Sequence, residues 1–111
     1  MKALTILGYS AAALLIAAPA ARAAAADTWT QSCAACHGQD GTGKTKMGRR
    51  VGAKDLTDAA YQKTFTDDVL FGHLKNGETG TDGKVKMKAY GDQISDDDLK
   101  ALVAYVRSLA K

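Results

Sequence analysis

The order of apolar and polar positions predicts a chain of short helices joined by glycine-rich loops. The clearest helical pattern closes the chain, where apolar residues recur at three- and four-residue intervals after Ser95 and Asp98, which have the spacing of a capping box. The apolar positions of this helix are Leu99, Leu102, Val103, Val106 and Leu109. We expect this last helix to bury one face against the rest of the protein and to run to Lys111.

Three shorter helices are predicted upstream, at residues 27–36, 59–63 and 67–75. The third has Thr66 as its N-cap and ends at Asn76-Gly77. The candidate N-caps of the other two are Asp27 or Thr28 for the first and Thr57 or Asp58 for the second. Residues 38–52 and 78–92 are predicted as loops, because they contain several glycines, and no stretch alternates as a strand would.

The first 26 residues differ from the rest of the chain. They are rich in alanine and carry only two charges, Lys2 and Arg22, around an apolar stretch. This pattern predicts a secretory signal peptide over residues 1–23, with cleavage after Ala23 and with Ala25 or Ala26 as alternative sites. An uncleaved anchor or a structural helix are the other interpretations. The predicted domain is then a single one over residues 24–111.

Composition and charge narrow the classes of function. The chain has 111 residues and a formal net charge of +3, which falls to +1 over the 88 residues that cleavage would leave. So weak a basic balance argues against a nucleic-acid partner, and no stretch of about 20 apolar residues remains to span a membrane. So short a chain buries only a small hydrophobic core and usually needs a disulfide, a metal or a cofactor to stabilise its fold. We expect a monomer.

Cys33-Ala34-Ala35-Cys36-His37 is the attachment signature of c-type haem. Residues three and four apart share a helix face, so two thiols one turn apart can add to two vinyl groups along one porphyrin edge. His37 follows at once and offers a neutral imidazole nitrogen to the iron. A disulfide or redox pair and a zinc site are the alternatives. A disulfide would close too short a loop to stabilise the chain much, a redox pair would need a βαβ setting, and a zinc site would need more ligands.

The domain resembles a small class I c-type cytochrome over its whole length. The resemblance is carried by Cys33-Ala34-Ala35-Cys36-His37-Gly38, Asp40-Gly41-Thr42-Gly43, Met87-Lys88-Ala89-Tyr90 and Leu102-Val103-Ala104-Tyr105-Val106. It implies an all-α fold of three to five orthogonal helices wrapped round one covalent haem, with Trp29 meeting Tyr105 where the terminal helices cross. Haem c would be held through Cys33 and Cys36, with His37 and Met87 as axial ligands.

The sequence departs from the family pattern in one respect that concerns the site. Such cytochromes often have a proline in the first loop whose carbonyl accepts the N–H of the ligand histidine, and the only proline here is Pro19. Another backbone carbonyl, between Thr45 and Gly48, is the expected acceptor. The candidates for holding a haem propionate are Arg49, Arg50, Lys54 and Tyr61.

Three residues compete for the sixth position on the iron. Met87 lies 50 residues after His37, in a loop before the last helix, so enough chain separates them to reach the opposite haem face. Met47 is only ten residues after His37 and is expected to pack on the His37 side, whereas His73 is expected at the surface of the 67–75 helix. We therefore predict Met87, with Met47, His73 or an open site as alternatives.

Axial ligation by His37 and Met87 predicts an electron carrier and not an enzyme, because both iron positions are closed and the thioether favours the reduced state. The expected function is one-electron transfer between redox proteins of a respiratory or oxidative chain in the periplasm. The alternative is a haem protein with an open axial site that senses ligands or acts as a peroxidase. Two interpretations remain for the loop lysines: an ordinary solvated surface, or a basic surface round the haem edge on which partners dock. The lysines concerned are Lys44, Lys46, Lys84, Lys86 and Lys88.

Overall fold

The computed structural model describes residues 17–111. Most of the predicted signal peptide, residues 1–16, lies outside the described residues, and the rest belongs to the first helix. The elements are α1 (Ala17–Thr28), a π-helical turn (Trp29–Cys33), α2 (Ala34–His37), α3 (Lys46–Val51), α4 (Ala59–Gln62), α5 (Asp67–Asn76), β1 (Glu78–Thr79), β2 (Val85–Met87) and α6 (Asp96–Ser108).

The first helical segment is longer than the sequence pattern suggested. Thr28 has helical dihedral angles, so α1, the π-helical turn and α2 follow one another without a break up to His37. A cap at Asp27 or Thr28 was therefore a wrong prediction: the Thr28 hydroxyl donates to the Ala24 carbonyl within the helix (3.0 Å). Alanine has the highest intrinsic helix propensity, which is why the helix continues upstream of the predicted cap.

The caps of the later helices confirm the predicted starts. Thr66 accepts a hydrogen bond from the Val69 amide (3.2 Å) at the start of α5, and Ser95 accepts one from the Asp98 amide (3.2 Å) at the start of α6. Of the two candidates for α4, Asp58 is the cap. α5 ends at Asn76 before Gly77, as predicted, and α6 ends at Ser108, three residues short of the expected end.

Both predicted loops contain regular structure. The first includes α3, which Thr45 caps by accepting a hydrogen bond from the Gly48 amide. The second includes an antiparallel hairpin in which Glu78 pairs with Met87 across β1 and β2. The pattern missed the hairpin because its strands have only two and three residues and are mostly exposed, so their side chains do not alternate between a core and solvent.

The core forms where the terminal helices meet. α6 packs against α1 and α5, and its apolar face is buried as the spacing predicted. Trp29 and Tyr105 lie with ring centroids 5.4 Å apart, which confirms their predicted contact. The most deeply buried large side chains are Trp29, Leu99, Leu102 and Val106. This small helical core forms one side of a crevice. Residues of α5 and of the hairpin also line this crevice.

Candidate haem-binding site

Two hollows of about 210 and 480 Å³ form one crevice in the protein. They adjoin each other, because five residues line both of them: Cys33, His37, Lys54, Glu78 and Met87. The walls of the smaller hollow are mostly apolar, and beyond the shared residues they come chiefly from α5 and the segment before it, with Trp29 and Val106 from the terminal helices. The larger hollow lies between residues 51–54 and residues 85–88, and it also reaches Cys36 and Tyr90.

The two thiols stand at the wall of this crevice. Cys33 ends the π-helical turn and Cys36 lies in α2, and both are free and partly buried. Burial, and secondarily the neighbouring Cys36, raises the pKa of Cys33 to about 11. The Tyr90 hydroxyl donates to the Ser32 carbonyl (2.8 Å), and this bond joins the segment after the hairpin to the residue before Cys33. Burial is also the main cause that raises the pKa of Tyr90.

The imidazole of His37 is oriented by a backbone carbonyl. Its Nδ1 lies 3.2 Å from the carbonyl oxygen of Lys54, which leaves Nε2 free for a metal. The prediction of an acceptor between Thr45 and Gly48 is wrong, because that segment turns into α3 and the carbonyl that reaches the His37 ring is the one of Lys54. Burial lowers the pKa of His37, although the bond to Lys54 opposes the shift, so the folded chain favours the neutral ring that iron requires.

The structure separates the three candidates for the sixth ligand. Met87, in β2, is half-buried and lines both hollows with His37. Met47 has 45% of its surface exposed on α3 and lines neither hollow, so it is not buried as a core residue. His73 has a half-exposed side chain, as expected, but it also lines the smaller hollow. Two of the three candidates therefore reach the crevice.

Only some of the candidates for propionate binding and for docking line the crevice. Of the four candidates for a propionate, Lys54 and Tyr61 line the crevice, whereas Arg49 and Arg50 are exposed on α3 and line neither hollow. Of the five predicted docking lysines, Lys86 and Lys88 border the larger hollow. The other three, Lys44, Lys46 and Lys84, line neither one.

One carboxylate in the crevice is not predictable from the sequence pattern. Glu78 lines both hollows, and its charge adds to burial in raising the pKa of Tyr61. Glu78 follows Gly77 directly and pairs with Met87 across the hairpin. Its place in the crevice could therefore have been predicted only if the hairpin had been recognised in the sequence.

The residues of the crevice fit a covalently held haem. They supply two free thiols one helical turn apart, an oriented imidazole, a thioether from another element and apolar walls. Within the described part of the chain, no group of three or more His, Cys, Asp or Glu side chains is arranged to hold a metal ion, so the zinc alternative gains no support.

Comparison with known proteins decides the family. The model of the family described as "Cytochrome C oxidase, cbb3-type, subunit III" matches residues 20–106. The chain belongs to this family. It is a c-type cytochrome with an all-α fold, and haem c is its covalently bound cofactor.

Relatives and solved structures agree with this assignment. The cytochrome is 32% identical to the cbb3-type cytochrome c oxidase subunit FixPc of Rhizobium leguminosarum bv. viciae, over 82% of this chain and 29% of the relative. It is 31% identical to subunit CcoP of Azospirillum brasilense, over 73% of this chain and 26% of the relative. It also resembles the solved c-type cytochrome KustC0563, with a TM-score of 0.68 and 28% identity. The match covers 78% of this chain and 98% of the solved one.

The chain spans less than a third of the length of these oxidase subunits. It covers nearly all of the solved cytochrome, so the shared unit is one cytochrome domain. No helix within residues 17–111 combines the length and the apolar character that crossing a membrane requires.

Proposed function

We propose that this cytochrome is an exported one-electron carrier, with haem attached through Cys33 and Cys36 and with His37 and Met87 as the axial ligands. The observation that carries the proposal is that His37 and Met87 line the same two hollows together with Cys33. The two axial side chains come from separate elements, α2 and β2, so the fold can present them from different walls of the crevice. The bond to Lys54 holds the imidazole in one orientation.

This arrangement favours electron transfer over catalysis. When bound, haem would supply an iron that takes up and releases one electron, and ligation by the Met87 thioether together with the His37 imidazole would raise its reduction potential. Two protein ligands leave no position for oxygen or a substrate. The buried side chains of Leu70, Leu74 and Val106 give the crevice an apolar wall. The same ligands serve both oxidation states, so little has to move when an electron is transferred.

We propose redox proteins of a respiratory chain as partners and the periplasm as the location. Two observations support this: the relatives are named subunits of cbb3-type cytochrome c oxidases, and residues 1–23 have the pattern of a secretory signal. We further propose that the cytochrome acts as a monomer and that partners dock on the side of the crevice bordered by Lys86 and Lys88.

An absorption spectrum of the exported protein in both oxidation states, combined with its intact mass, tests the proposal. We expect a mass increase of one haem per chain and a six-coordinate low-spin spectrum in both states, with no binding of carbon monoxide to the reduced protein. A five-coordinate reduced protein that binds carbon monoxide would contradict it and favour ligand sensing or peroxidase chemistry.

Replacing both thiols tests the covalent attachment. The double variant Cys33→Ala, Cys36→Ala should not fold cooperatively, because the crevice leaves a small protein without a filled core unless haem occupies it. Thermal unfolding followed by circular dichroism measures this, with the wild-type holoprotein as control. A cooperative transition in a haem-free double variant would show that the helical core suffices.

A further inference from the structure

His73 occupies a wall of the haem crevice although the proposed carrier does not use it. It is one of only two histidines in the chain, and it lines the smaller hollow with His37 and Met87. On α5 it lies one turn after Val69, beside the buried Leu70 and Leu74, and all of these residues line the same hollow. Its side chain is 49% exposed, so the core does not fix it in one position.

The imidazole of His73 reaches the hairpin that carries Met87. Its Nδ1 lies 3.6 Å from Oε2 of Glu78, and Glu78 pairs directly with Met87 across the two strands. Opposed residues in an antiparallel pair lie about 5 Å apart. The second imidazole is therefore directed to the strand position opposite the proposed sixth ligand, on the wall of the hollow that both residues line.

The orientation of this ring resembles that of a metal-ligating histidine. Histidine ligands usually direct one ring nitrogen to a carboxylate or a carbonyl, which fixes the ring and leaves the other nitrogen for the metal. The Lys54 carbonyl oxygen lies at hydrogen-bonding distance from Nδ1 of His37 (3.2 Å), and the Glu78 carboxylate is the nearby oxygen group of His73, at the longer distance of 3.6 Å. In both residues Nδ1 has an oxygen neighbour and Nε2 is left over.

The other donors in the crevice are less suited to bind iron. Lys54, Lys86 and Lys88 line it, but a lysine ammonium has no lone pair until it loses a proton. Met47 has a thioether but lies on the surface of α3, outside both hollows. Besides His37, His73 is the only imidazole that lines the crevice, and among its nitrogen donors it is the one best able to replace Met87.

We propose that His73 is a reserve sixth ligand, whose Nε2 binds the iron when the Met87 thioether leaves it. This inference rests on the proposed ligation by His37 and Met87. The exchange breaks one iron–sulfur bond and forms one iron–nitrogen bond, with no change in oxidation state. Loss of the thioether then yields a second closed state with two imidazoles and a lower reduction potential, instead of an iron open to oxygen.

The test compares Met87→Ala with the double variant Met87→Ala, His73→Ala, both as exported holoproteins. We expect the single variant to be six-coordinate and low-spin with a lowered potential, and the double variant to be five-coordinate when reduced. Carbon monoxide should bind the double variant about tenfold more tightly or better, because it has no internal ligand to displace. The control Met87→Ala, Lys86→Ala, Lys88→Ala should stay low-spin.

Other outcomes overturn the inference in distinguishable ways. If the single variant is already five-coordinate and binds carbon monoxide as well as the double variant does, Met87 is a ligand but His73 does not replace it. If the double variant stays low-spin, another side chain is the replacement. If Met87→Ala keeps the wild-type spectrum and potential, the proposed ligation itself fails. Should Met87→Ala not yield holoprotein, Met87→Leu, which nearly conserves volume, is read in the same way.

Discussion

Individual residues beneath the attachment motif determine how tightly the first loop can close on it. The Gly43 amide donates to the His37 carbonyl (2.7 Å), with Gly43 at a φ of +74° that favours glycine. The Thr45 hydroxyl lies 2.8 Å from the Cys36 carbonyl oxygen and also accepts from the Gly48 amide. These contacts hold the end of α2 against the start of α3, so the orientation of His37 depends on residues outside the motif.

Among single residues, the sequence predicts those of a local motif but not those that reach the site from a distant part of the chain. Cys33, Cys36 and His37 are recognisable because the chemistry needs those side chains at that spacing. The Lys54 carbonyl was not recognisable, because every residue has a carbonyl and this one lies seventeen residues after His37. Only the course of the loop determines which backbone oxygen reaches the ring.

A glycine substitution tests the close approach of the loop. A Cβ at Gly48 would overlap the carbonyl oxygens of Cys36 and Gly43, so Gly48→Ala should reduce the free energy of unfolding by about 1–3 kcal/mol and lower the yield of holoprotein. Gly72→Ala is the control, because a Cβ there meets nothing within 4 Å and alanine favours a helix. Denaturant unfolding of the two variants measures the difference, and equal stabilities would contradict the argument.

Among the elements, α6 is joined to the crevice wall by a polar network. Arg107 donates to the Asp67 carboxylate (2.7 Å), to the Phe65 carbonyl (2.7 Å) and to the Gln62 carbonyl. Gln62 is buried and donates to the carbonyls of Leu56 (2.7 Å) and Val106 (2.8 Å). The network therefore links α6, α4 and the start of α5, and Leu56, Phe65 and Val106 from these segments line the smaller hollow.

The predictability of each element follows from where its determinants lie. The starts of α5 and α6 were predicted correctly, because Thr66 and Ser95 cap amides three residues away. The hairpin was not predicted, because its strands have only two and three residues and expose most of their surface. The Arg107 network joins residues about 40 positions apart, and no pattern in the sequence marks such a pairing.

Removing the guanidinium tests the network. Arg107→Ala should lower the free energy of unfolding by about 2–3 kcal/mol, because it leaves the carbonyls of Gln62 and Phe65 without their charged donor. Lys100→Ala, an exposed position on the same helix, should change it by about 0.5 kcal/mol or less. Urea titration of both holoproteins compares them. A loss no larger than that of the control would show that the network contributes little to stability.

At the scale of the molecule, positive charge gathers at the larger hollow. Lys54, Lys86 and Lys88 line it together with one carboxylate, that of Glu78. Local pairs reduce the positive charge only in part: Lys86 lies 3.7 Å from Asp82 in an exposed pair, and exposed pairs interact weakly. Val85, 67% exposed between Lys84 and Lys86, adds an apolar contact beside the crevice. Such a surface suits a partner with an acidic rim.

Electron transfer to an acidic redox partner should therefore depend on the lysines that border the crevice and not on the other lysines. Reversing Lys86 and Lys88 to Glu should slow association at low salt and flatten its salt dependence, because steering acts on the encounter rate and the Debye length is only about 10 Å at 0.1 M salt. Reversing Lys44 and Lys46, which changes the net charge equally but lies outside the crevice, should have a clearly smaller effect. Stopped-flow rates across a salt series measure both variants. Equal slowing by the two pairs would attribute the effect to net charge, and docking would then have no preference for the crevice.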